Sequence, residues 1–172
     1  MAKGLIVAVA ALAFFALAHT RADAAASCQF SSASIAFGNF DVYGPALAIT
    51  GSIQGVCTSG ASNSTRPIIS LNKGLHSTVF SPRKMACASG ACSTGYSADL
   101  LQYNLYTSAT YSTIWGDGTN STATVQLASG CCSNNVAWSA TVYGNIPKAV
   151  AGGANDVSVG VYADTVTVTM TF

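Results

Sequence analysis

The closing stretch of the chain, "YADTVTVTMTF", puts Val166, Val168, Met170 and Phe172 on one side of an extended backbone and Thr165, Thr167, Thr169 and Thr171 on the other. A repeat of two is the spacing of a half-buried β-strand, because successive side chains of an extended chain point to opposite faces. No turn former or further strand signal follows it in the sequence. One edge of this strand is therefore left without an obvious partner.

The same period recurs upstream. Strand signals are "SASIAFG" with Ile35 and Phe37, "ALAITGSIQGVC" ending at Cys57, "RPIISLN", "LLQYNLYTS", "TATVQL" and "AWSATVYGNIP". Turn formers separate them, among them Gly44-Pro45, Asn72-Lys73-Gly74, Gly116-Asp117-Gly118 and Gly152-Gly153. No segment after the N-terminal leader carries helical periodicity. Short strands punctuated by turns predict an all-β Greek-key sandwich of the immunoglobulin-like type.

The leader is Lys3 followed by the apolar run Leu5 to Ala18 and then small residues. The run is short for a membrane span of about 20 residues, and Ala22-Asp23-Ala24 fits a small-residue cleavage site, so residues 1–24 are expected to be a signal peptide. An uncleaved anchor helix is the other reading. Cleavage after Ala24 leaves residues 25–172 as a single expected domain with no linker. In that stretch Arg66, Lys73, Arg83, Lys84 and Lys148 balance Asp41, Asp99, Asp117, Asp156 and Asp164, and there is no Glu. A neutral chain without basic clusters argues against nucleic acid and anionic membrane surfaces as partners.

All six cysteines, Cys28, Cys57, Cys87, Cys92, Cys131 and Cys132, follow the leader, and an even count in an exported chain reads as disulfides. Cys28 with Cys57 is favoured because each borders a predicted strand. Cys87 and Cys92 fall in one Gly/Ser-rich loop and Cys131 and Cys132 in another. Two bridges between those loops, or a local Cys87–Cys92 bridge with a vicinal Cys131–Cys132 bond, would use the rest.

Candidates for chemistry are few. His76 is the one histidine after the leader, it sits in a loop, and no Glu or paired Asp stands by to make a general acid and base. No cysteine and histidine spacing suits zinc, and the Gly116-Asp117-Gly118 turn alone is too little for calcium. No cofactor, metal or catalytic residue is predicted. Trp115 and Trp138 could stack on sugars, although a buried sandwich tryptophan is the commoner fate. Asn63-Ser64-Thr65 and Asn120-Ser121-Thr122 match a glycosylation sequon.

The stretches "IAFGNFDVY", "GSIQGVC", "ISLNKG", "RKM", "LQYNLYTS", "IWGDGT", "TVYGNIP" and "GVYADTVTVTMTF", in this order over Ile35 to Phe172, resemble the spore coat protein U domain family, which includes pilins of archaic chaperone-usher fimbriae. The resemblance implies an immunoglobulin-like domain lacking its final strand. It implies a groove with Val166, Val168, Met170 and Phe172 on one side and Ile35 and Phe37 opposite. A periplasmic chaperone would first fill such a groove, and a neighbouring subunit's strand would replace it, with an usher passing the assembly to the cell surface. Only Ala25, Ala26 and Ser27 separate the expected cleavage site from Cys28, too little for a donor strand of about ten residues. The expected place is therefore the fimbrial tip, with a role in attachment and biofilm. A self-complete secreted or coat protein is the alternative, and an enzyme or sugar-binding accessory module stands third.

Overall fold

The computed structural model describes residues 27–58, 66–90, 99–128 and 135–172. The leader, Asn63, Cys92, Cys131 and Cys132 lie outside the described residues. Within them the elements are β1 (Ser27–Ser34), β2 (Leu47–Thr58), β3 (Ile68–Leu71), β4 (Arg83–Gly90), β5 (Leu100–Tyr106), β6 (Val125–Gln126), β7 (Val136–Ile146), β8 (Gly160–Ala163) and β9 (Val168–Thr171).

Alternation in sequence becomes alternation in burial. Along β7, Trp138, Ala140, Val142, Gly144 and Ile146 are buried while the residues between them face outward. β7 pairs with β2 over its full length, from Leu47 opposite Ile146 to Cys57 opposite Val136. These two long strands sit inside a six-stranded antiparallel sheet ordered β1-β2-β7-β5-β4-β8, and β6-β3-β9 form a second sheet. Ile69 and Leu71 of the small sheet share one core with Ile53, Leu105 and Val142 of the large one. The result is the expected immunoglobulin-like sandwich, with neighbours distant in sequence, such as β2 and β7, supplying its Greek-key crossings.

Cys28 and Cys57 stand opposite each other on β1 and β2 and are joined by a disulfide. Replacing both with Ser should lower unfolding stability by about 2–5 kcal/mol, the usual range for a native bridge in a small exported domain. Denaturant titration checks this, and an unmoved midpoint would count against it.

Three local expectations are corrected. β1 covers Ser27–Ser34 and stops before Ile35, so Ile35 and Phe37 belong to no strand. They pack instead against Gly144, where a Cβ would come within 2.6 Å of Ile35 Cδ1 and 2.9 Å of the Phe37 ring, so the bare backbone is what admits them. Cys87 lies within β4 rather than in a loop. Third, the closing strand is two strands. β8 pairs with β4 in the large sheet and β9 with β3 in the small one, and residues 164–167 carry the chain across. The crossing is stitched by Asn72, whose N donates to Thr167 O (3.0 Å) and whose Oδ1 accepts from Thr167 N (2.9 Å). The in-and-out alternation of the sequence survives the break, from Tyr162 to Met170.

Candidate functional site

β1 hydrogen-bonds only to β2, β8 only to β4, and β9 only to β3, so each has one open edge among the described residues. Between residues 33–42, which follow and include the end of β1, and residues 157–168 lies a cleft of about 750 Å³. Ile35, Phe37, Val166 and Val168 line it, and Leu101, Leu105, Val142 and Ile146 form its apolar floor. Met170 packs against the same core without lining the cleft, and Phe172 is 57% exposed. Five antiparallel pairings separate β1 from β8, so the two run in opposite directions. A single strand laid between them would be parallel to one and antiparallel to the other. Unpaired backbone on both flanks and apolar pockets below suit an extended peptide rather than a rigid small ligand.

Beneath one end of the cleft is a buried polar network that the sequence reading did not find. Arg83 is fully buried on β4. Its Nε and Nη2 donate to Asn72 O (3.1 and 2.8 Å), Nη1 to Asn104 Oδ1 (2.8 Å), and Nη2 also to Trp115 O (2.7 Å). The Phe80 ring covers the guanidinium at 5.4 Å, and Trp115 Nε1 donates to Ile69 O (3.0 Å). Burial lowers the Arg83 pKa, while Tyr103 and Asp164 nearby act the other way. Tyr103 OH donates to Asp164 Oδ2 (2.6 Å), and Asp164 Oδ1 accepts from Leu75 N (2.9 Å) and His76 N (3.3 Å). Asp164 thus fixes the turn after Asn72, where Gly74 is at φ +86 and leaves no room for a Cβ against the carboxylate. "SLN", "RKM", "IWG" and "YADT" each contribute one member and "QYNL" two, Tyr103 and Asn104, so five segments distant in sequence converge on a single cluster.

Tyr103 makes the cluster pH-sensitive at the alkaline end. Burial, the Asp164 hydrogen bond and its charge push the phenol far above its ordinary value of 10, with Arg83 opposing. The folded chain holds the neutral phenol while the unfolded chain would ionise near 10, so this contribution is complete below about pH 10 and is lost as pH rises beyond it. Tyr103→Phe should make the alkaline decline in stability shallower, as read from unfolding curves between neutral and alkaline pH. An identical slope would refute the assignment.

Asn155, also missed, is 2% exposed at φ 61. Its side-chain Oδ1 accepts from Gln102 N (2.6 Å) and its Nδ2 donates to Gln102 O (3.1 Å) and Pro147 O (2.9 Å). An amide here pairs with β5 as a strand would, at the point where β7 has ended, and so holds the loop leading into the cleft wall. Neither Arg83 nor Asn155 announces itself in the pattern, because both are polar residues at inward positions.

The other candidates stay apart. His76 takes part only through its backbone N. Thr119 donates from N and Oγ1 to Asp117 Oδ1 (2.9 and 2.6 Å), which holds that exposed carboxyl below its ordinary value in a self-contained turn. Cys87 is disulfide-bonded. Among the described residues no group of three or more His, Cys, Asp or Glu gathers where a metal could bind.

The family described as Spore Coat Protein U domain matches residues 13–169. No curated protein matches the chain. Among solved structures, the chain is similar to one from a chaperone–tip adhesin complex described as vital for synergistic activation of CFA/I fimbriae biogenesis, at 13% identity and a TM-score of 0.46, covering 86% of this chain and 42% of that one. The present chain thus spans less than half the length of that relative.

Proposed function

Because the chain belongs to the Spore Coat Protein U domain family, we propose that it is a structural, non-enzymatic subunit of a chaperone-usher type surface fimbria. The observation that carries this reading is the cleft itself. It is apolar, it lies beside the unpaired edges of β1 and β8, and its walls come from the end of β1 with the segment after it and from β8 with the residues leading into β9. A strand supplied by another chain would complete both edges with main-chain bonds and seat alternate side chains on Leu101, Leu105 and Val142. A periplasmic chaperone supplies it first, and a neighbouring subunit replaces it as the usher exports the polymer. Residues 1–24 act as the export signal. A tip position, with use in attachment and biofilm, belongs to the same proposal.

Expression in the periplasm tests it. Alone, the chain should aggregate or be degraded, because an empty apolar cleft beside open strand edges recruits other chains. With a cognate chaperone it should be recovered as a one-to-one complex, from which a strand peptide of a partner subunit displaces the chaperone. A soluble monomer that unfolds cooperatively and ignores both would favour the self-complete coat protein instead.

A further inference from the structure

We propose that the outer face of β2 and β7, together with a tyrosine corner at one end of it, is a binding surface for neutral polysaccharide. This face lies on the opposite side of the sheet from the cleft, so it stays available whatever fills the groove.

Register defines the surface. Gln54, Ser52 and Thr50 of β2 stand opposite Ser139, Thr141 and Tyr143 of β7. No outward position of either strand carries a charge, since those of β2 are Ala48, Thr50, Ser52, Gln54 and Val56 and those of β7 run from Ala137 to Asn145 through Ser, Thr and Tyr. An exposed sheet face usually carries charged side chains that keep other molecules off. Here hydroxyls and amides take their place, groups that both donate and accept hydrogen bonds.

The row ends in aromatic rings. Tyr106 stands opposite Tyr143 across β5 and β7, and the Tyr111 ring meets Tyr106 edge-on at 5.5 Å and 88°. Cross-strand packing explains Tyr106 and Tyr143. It does not explain Tyr111, which sits in a loop at φ 51, a conformation that aromatic residues rarely adopt. Thr107 N donates to Thr113 O (3.1 Å) at the base of that loop, and Ser108, Thr110 and Ser112 hydroxyls form a chain at 2.8 and 2.9 Å above it. A pyranose ring offers an apolar C–H face to an aromatic ring and hydroxyls around its rim, and this corner offers both complements side by side. The absence of charge selects against anionic glycans, nucleic acid and charged peptides, which need opposite charge for recognition. Trp115 and Trp138, the sequence's first candidates for sugar stacking, are buried and cannot serve.

The test uses the full chain, purified alone or with whatever chaperone keeps it soluble, so that it does not depend on the groove's role. Microcrystalline cellulose and chitin are the neutral probes and alginate beads the anionic one. Depletion from solution by a neutral polymer, insensitive to added salt, is expected. Tyr111→Asn, which tolerates the same backbone angle, and Tyr143→Thr, which keeps strand propensity, should each weaken it about tenfold or more. Thr141→Lys should weaken it as strongly while leaving folding intact. The proposal fails if neither neutral polymer binds, if alginate alone does, or if the three variants bind like the wild type. It also fails if Thr141→Lys merely splits a dimer seen by ultracentrifugation, which would make the face a contact between copies of the chain.

Discussion

Val168→Asp is expected to abolish recovery of the soluble subunit from cells that make the cognate chaperone, while Thr167→Asp leaves the yield close to wild type. Val168 points into the cleft from β9, opposite Leu71 of β3, and packs against the core. A carboxylate there would be buried when a strand fills the groove, with no cation lining the cleft to receive it. Such a group either costs several kcal/mol or takes up a proton, and either outcome opposes docking. Thr167 is exposed on the other face, and only its backbone atoms bond Asn72. Yield of the co-purified complex is the measurement, with a drop of about tenfold or more for Val168→Asp, in line with a loss above 1.4 kcal/mol. Equal yields for the two variants would remove the cleft from consideration as the docking site.

The largest loss of stability is expected from Arg83. Arg83→Met keeps much of the apolar stem but leaves Asn72 O and Trp115 O without their Arg83 donors in a buried site, while Asn104 Oδ1 retains only Leu105 N (3.0 Å). Each buried acceptor left unpaired costs about 1–3 kcal/mol, so loss of the donor to the two main-chain carbonyls costs about 2–6 kcal/mol together. That is a large share of the roughly 5–15 kcal/mol that holds a domain folded. Arg83→Lys should recover part of it, since an ammonium can reach one or two acceptors but cannot span all three as the planar guanidinium does. Denaturant titration of a subunit whose groove is filled by a strand peptide should rank wild type above Lys and Lys above Met. A Met variant as stable as the wild type would show that the network contributes specificity without stability.

The two outcomes separate the parts of the molecule. Val168 acts where the partner strand docks, whereas Arg83 acts beneath it, tying the turn after β3, the start of β4 and the middle of β5 into one body. Tyr103 and Asp164 belong to both, being members of the network and of the cleft lining. Stiffness under one end of the groove thus follows from the same residues that shape its wall.

Strand period was legible because it depends on neighbours two positions apart, and the Cys28–Cys57 pairing because each cysteine borders a strand signal, although the two lie 29 positions apart. β2 and β7 repeat with period two over eleven or more positions, and no competing helical period masks them. β4 was not legible as a strand, since its inward positions read Arg83, Met85, Cys87 and an inward arginine breaks the apolar alternation. The division of the last strand was also hidden. Its alternation runs unbroken through residues 164–167, and only the choice of β4 as partner on one side and β3 on the other makes two strands of it.

What the sequence determined by itself, then, is the set of segments that want to be extended and the faces they want to bury, a matter of side-chain spacing along one backbone. Which edges remain unpaired, where Ile35 and Phe37 fold over Gly144, and how Arg83 finds three carbonyl oxygens from Asn72, Asn104 and Trp115 were decided only in three dimensions. Those features arise from contacts between residues far apart in the chain, and the energy of a buried hydrogen bond or an open strand edge depends on what surrounds it rather than on the residues beside it in sequence.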